Sequence, residues 1–222
     1  MPAKTKTQPF DPSEIFGLEN EQERLDGLRH KVLPRLASIK AGALSEIVAA
    51  FKIDPEQHSD ERESVLPESV ETGLHPAEGS YTALRGAATL GCALVLTATR
   101  ESLGASLRIT DAPTWRLFVK TLYQYREALG DYLLELEELY VTDEDDEEAV
   151  EELDQVFAVN TESAAFKASG STLFFPALPY PVETEEEFDT LIADFSALFP
   201  FYWLLVKAAL GEPVDADKML NS

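Results

Sequence analysis

Apolar positions recur along this chain at spacings of three and four, then two, then three and four again, and each change of period predicts an element. From Asn20 to Phe51, Leu25, Leu28, Val32, Leu33, Leu36, Ile39, Leu44, Ile47 and Val48 follow a helical rhythm. Asn20 with Glu23 three residues on is an N-terminal capping pattern for that helix. Pro34 lies inside it, removes one internal hydrogen bond and predicts a kink or a split. From Asp54 to Ser80 the chain is polar and carries Pro55, Pro67 and Pro76. That composition predicts a long, mobile connection near 54–80.

The period then falls to two. In "AATLGCALVLTAT", Ala88, Leu90, Cys92, Leu94, Leu96 and Ala98 share one parity while Thr89, Gly91, Thr97 and Thr99 share the other. This is the repeat of a half-buried strand, with a buried helix left open by the Ala and Leu content. "ESLG" supplies a turn and "ASLRIT" alternates again, so a hairpin is predicted near 88–110. Pro113, with Asp111 or Ala112 just ahead, suits the first turn of a helix. Its apolar stripe runs through Trp115, Phe118, Val119, Leu122, Leu129, Leu133, Leu136 and Leu139 into an acidic segment. "VFAVNTESAAFKASGSTLFFP" reads as two or three short strands near 156–175. "TEEE" at Thr184 to Glu187 is a capping box, followed by a helical face of Phe188, Leu191, Ile192, Phe195, Leu198 and Phe199. The order predicts an α+β fold, an antiparallel sheet packed with three main helices. Residues 1–12 read as a disordered tail and 13–222 as a single domain.

Charge changes this picture in one place. The 222 residues carry a net charge of -23, and 13 of the acids fall in the 24 positions from Asp131 to Asp154, with no Lys or Arg among them. More than half of the imbalance is therefore local. Such a balance repels nucleic-acid phosphates and anionic membrane surfaces and favours a basic protein or cations as partners. A salt-adapted source would also account for general acidity. Cys92, the single cysteine, cannot form an intramolecular disulfide, and its apolar surroundings predict a buried, inert thiol. No apolar region follows the polar N-terminus, and the most apolar stretch, Phe195 to Leu210, is short of the roughly 20 residues of a membrane span. The expectation is a cytoplasmic, soluble protein with no membrane contact.

Two segments carry a family resemblance. "FDPSEIFGLENEQERLDGLRHKVLPRLASI" has an aromatic-Asp start, a Gly-Leu before an acidic-basic helix, and the apolar-Pro-basic-Leu element Leu33, Pro34, Arg35 and Leu36. "FDTLIADFSALFPFYWLL" has a helix closed by Phe199, Pro200, Phe201 and Tyr202. Both are similar to the ends of the YktB-like family of uncharacterised bacterial proteins, and "LRGAATLGCALVLTATRES" stands where that family has an Arg-Gly followed by paired strands. The resemblance covers about a third of the chain and implies an α+β fold. The family's basic Asn-Pro-Pro-Trp stretch and its His-Phe step have no counterpart here, so no ligand site is implied.

Candidate chemistry is sparse. His30, His58 and His75 lack the spacing of a metal site, and no Gly-x-Ser-x-Gly elbow is present. "LRGAATLG" and "ASGST" lack the endings of phosphate-binding loops, so turn chemistry accounts for them. Counted as a calcium loop from Asp143, the acidic run has Glu148 where Gly is required and Asp154 where Glu is required. It fails as an EF-hand. Arg85, Arg100, Arg108 and Arg116 bracket the predicted hairpin, as an anion pocket or as partners of surface carboxylates. The aromatic group Phe199, Phe201, Tyr202 and Trp203 is expected in the core.

The sequence thus predicts a partner- or ligand-binding protein with no recognised catalytic motif and no cofactor. Asp143, Glu144, Asp145, Asp146, Glu147 and Glu148 are the candidate surface for a basic protein partner. The second reading is a small-molecule binder or enzyme with a pocket between sheet and helix near Arg85, Arg100 and Trp115. The third is an acidic decoy for a nucleic-acid-binding protein, with carboxylates spaced along a long helix. Oligomeric state is left open by all three.

Overall fold

The structure, a computed structural model, describes residues 9–50, 69–75, 79–85, 90–136, 138–143, 150–152 and 170–211. Its helices are α1 (Ser13–Phe16), α2 (Glu21–Gly27), α3 (Leu33–Ala50), α4 (Ala112–Gln124), α5 (Arg126–Glu135), α6 (Glu185–Ala197) and α7 (Phe199–Leu210). Its strands are β1 (Ser69–His75), β2 (Gly79–Arg85), β3 (Cys92–Ala98), β4 (Ser102–Ile109), β5 (Tyr140–Asp143), β6 (Val150–Glu152), β7 (Ser171–Phe174) and β8 (Leu178–Pro179). The strands form one antiparallel sheet in the order β1-β2-β3-β4-β7-β5-β6, with β8 also paired to β4. The architecture is α+β, as the element order predicts.

The β3–β4 hairpin is the centre of this sheet, with Cys92 opposite Ile109 and Ala98 opposite Leu103. In β4 the alternation is complete: Leu103, Ala105, Leu107 and Ile109 are buried while Arg108 is exposed. In β3 the predicted parity, Cys92, Leu94, Leu96 and Ala98, enters the main core, but Ala93 and Val95 are buried as well. Ala93 and Val95 form a small cluster of their own, apart from the main core.

Each predicted helical stretch is present, and each is interrupted once. The first passes through a π-helical turn, Leu28–Val32, in which the Leu33 N–H donates to the Leu28 carbonyl. Pro34 follows directly; its ring crowds the carbonyl four residues back, and the wide turn ahead of it takes up that crowding. Asn20 caps the stretch by accepting from the Gln22 and Glu23 N–H groups. The second stretch breaks at Tyr125, between α4 and α5. One turn earlier the Thr121 hydroxyl donates to the Leu117 carbonyl at 2.8 Å, a bond that competes with the helix ladder and bends it. The third breaks at Leu198, where Pro200 in the first turn of α7 has no N–H to continue the ladder. The last carbonyls of α6 then need other donors, and the Tyr132 hydroxyl supplies one to Ala197 at 2.8 Å.

The structure departs from expectation in three further places. The polar segment 54–80 is not all connection: β1 and the start of β2 lie in it, paired from Ser69 opposite Arg85 to His75 opposite Gly79. Its acids and prolines concealed the Val70, Thr72, Leu74 alternation; the part from 54 to 68 lies outside the described residues. The helix predicted to reach Leu139 stops at Glu135. Glu138 takes a left-handed backbone, φ 62°, and Leu139 and Val141 are then buried as the chain enters β5. The tail expected over 1–12 is tied down at its end, where Phe10 exchanges backbone hydrogen bonds with Val182 and sets its ring edge-on to Tyr180 at 5.8 Å. Of the short strands predicted near 156–175, β7 is found, and residues 153–169 lie outside the described residues.

The helices α3, α6 and α7 pack against the β2–β4 region, α3 lies along α6, and α4 lies along α7. Leu28, Val32, Leu36 and Ile47 enter the core from the first helical stretch, Trp115 and Phe118 from α4, and Phe188 and Phe195 from α6. Phe199, Phe201 and Tyr202 are fully buried, as expected of that aromatic group, and Trp203 is partly buried against the core. Glu185–Leu210 is long and apolar enough to cross a membrane by length and composition, mean hydropathy 1.4; in this fold 56% of that window is buried.

Two local devices fix where helices start, and both are testable. Asp111 accepts from the Thr114 N–H and hydroxyl at 2.8 and 2.9 Å, and Gly91 passes so close that a Cβ there would overlap the Asp111 carboxylate. Asp111→Ala should cost about 1 to 2 kcal/mol as a lost cap, and Gly91→Ala about 1 to 3 kcal/mol through the clash. In the double variant the clash has no partner, so urea melts should show a total smaller than the sum by about 1 kcal/mol or more. Thr184 and Glu187 form a complete capping box on α6. Thr184→Ala should lower stability by about 1 kcal/mol in the same assay.

Candidate functional site

The acidic run lies in sequence between two paired strands, β5 and β6. Asp143 is the last residue of β5 and pairs by backbone with Ser171, while Tyr140, Val141 and Thr142 face Glu152, Glu151 and Val150 of β6. Residues 144–149 join these paired strands, so Glu144, Asp145, Asp146, Glu147 and Glu148 follow directly from the end of β5; they lie outside the described residues. The preceding helix ends before the run begins: α5 stops at Glu135, and Glu138 and Leu139 lead the chain into β5. The nucleic-acid-decoy reading concerns carboxylates of which those at 144–148 lie outside the described residues. β6, which holds Glu151 and Glu152, is the last strand in the sheet order.

Arg85, Arg100 and Trp115 are not gathered into one site. Arg85 closes β2 one step beyond the Leu84–Leu94 pair, whereas Arg100 lies in the turn beyond Ala98 at the opposite end of β3. Arg85 stands opposite Ala93, so about seven residues separate the two arginines, roughly 23 Å at 3.3 Å per residue. Trp115 follows β4 at the end away from Arg100. It is 1% exposed and packs on Phe118, ring centroids 5.5 Å apart. Arg108 and Arg116 are exposed. The sequence could not reveal this, because residues close in number at a hairpin lie at opposite ends of its strands. The space between sheet and helices is occupied by core side chains, among them Trp115, Phe118, Phe201 and Tyr202.

Three features gave no signal that sequence reasoning used. At the break between α4 and α5 a surface pocket of about 510 Å³ is lined by Tyr123, Gln124, Tyr125, Arg126, Glu127 and Ala128. Tyr123 is 55% exposed, and the Arg126 guanidinium stands 4.5 Å from its ring centroid. The spacing of three between an aromatic and a basic residue was the legible trace of this pair. The second is Arg35 on α3, whose guanidinium lies 3.9 Å from the centre of the Phe188 ring on α6. Desolvation lowers the pKa of Arg35 and of Lys40, so both helix cations are partly removed from water. The third is Asp194, within the last turn of α6, whose burial pushes its pKa up to about 6.

His30 is exposed, its Nδ1 lies 2.8 Å from the Asp26 carbonyl, and Arg29 is 3.7 Å from the Asp26 carboxylate. His75 ends β1, and His58 lies outside the described residues. Cys92 is buried on the core face of β3. No family model matches this chain, and no curated protein matches it. The likeness to the YktB-like family thus rests on the two terminal segments alone.

Asp194 makes a pH-dependent prediction. A carboxyl with a folded pKa near 6 binds its proton more tightly in the native than in the unfolded chain, where 3.8 is the ordinary value. Its contribution to stability is complete below about pH 4 and is lost as pH rises through about 6. Asp194→Asn should stabilise the protein at pH 7.5 by about 1 kcal/mol, discounted because the carboxyl is partly solvated. Thermal melts of variant and parent should converge near pH 4.

Proposed function

We propose that this chain is a cytoplasmic binding protein whose acidic hairpin receives a basic protein partner. The observation that supports the reading is the β5–β6 pairing, with Thr142 opposite Val150 at the border of the sheet. The strands on either side of the acidic stretch are paired with each other by backbone hydrogen bonds. Concentrated charge of one sign at a sheet border attracts an oppositely charged partner over about a Debye length and orients its approach. Each exposed pair contributes little, about 0.2 to 1 kcal/mol, so affinity arises from the number of acids acting together.

A titration separates this reading from general charge attraction. The intact protein binds a lysine-rich peptide at low ionic strength, and neutralising the run (Asp143→Asn, Glu144→Gln, Asp145→Asn, Asp146→Asn, Glu147→Gln, Glu148→Gln) weakens binding by about tenfold or more. The control variant neutralises the same number of exposed acids elsewhere, Glu14, Glu19, Glu21, Glu23, Glu186 and Asp189. It should lose far less. Equal losses in the two variants overturn the proposal, since net charge alone would then govern binding; an unchanged affinity in the hairpin variant overturns it as well.

A further inference from the structure

We draw no further inference here: the strongest candidate, the pocket at the α4–α5 break beside Tyr123 and Arg126, is formed at a helix N-terminus, and nothing in the structure shows a ligand there.

Discussion

The burial of alternate residues of β3 and β4 beneath the helices is the contact on which the remaining structure depends. Leu94, Leu96, Leu103, Leu107 and Ile109 present a continuous apolar surface that no single helix is wide enough to cover. Helices α3, α6 and α7 pack over this region together, and α4 adds a further row against α7. At roughly 25 cal/mol per Å² of apolar surface, each large side chain enclosed there contributes about 1.5 to 3 kcal/mol, well above any exposed ion pair in the molecule. Fold stability is therefore concentrated in this core rather than in exposed ion pairs.

The helix interruptions follow from this demand. Beyond the break at Leu198, Phe201 of α7 meets both Phe118 and Tyr132, at 6.5 and 5.9 Å. Tyr132 secures the junction through the Ala197 carbonyl. The π turn ahead of Pro34 serves the first stretch in a similar way, keeping Leu28, Val32 and Leu36 buried despite a residue that cannot join the ladder.

What the sequence disclosed was local, and what it concealed was set by tertiary pairing. Asn20, Asp111 and Thr184 cap the helices that their neighbours predict, because a cap depends only on residues three positions away. The alternation in β4 was legible for the same reason. β1 was hidden because its short alternation, Val70, Thr72 and Leu74, is interrupted by Gly73 and flanked by Pro67 and Pro76. The end of α5 was hidden because the helical spacing of Leu133, Leu136 and Leu139 continues past it; the pull of Leu139 and Val141 into the sheet decides the matter, and no local residue announces it. The candidate arginines illustrate the opposite error, in which proximity along the chain stood in for proximity in space.

The acidic hairpin has a structural consequence apart from any partner. β6 is short and is the last strand of the sheet, and an outer strand offers unpaired backbone groups to any strand that approaches. Glu151 and Glu152 within it, with Asp143 to Glu148 just before it, oppose the approach of a second copy with the same charge. Of the acids behind the net charge of -23, 13 fall between Asp131 and Asp154, the part of the sequence that holds β5 and β6. The acids that flank the outermost strand in sequence thus work against edge-to-edge pairing with a copy of the same chain.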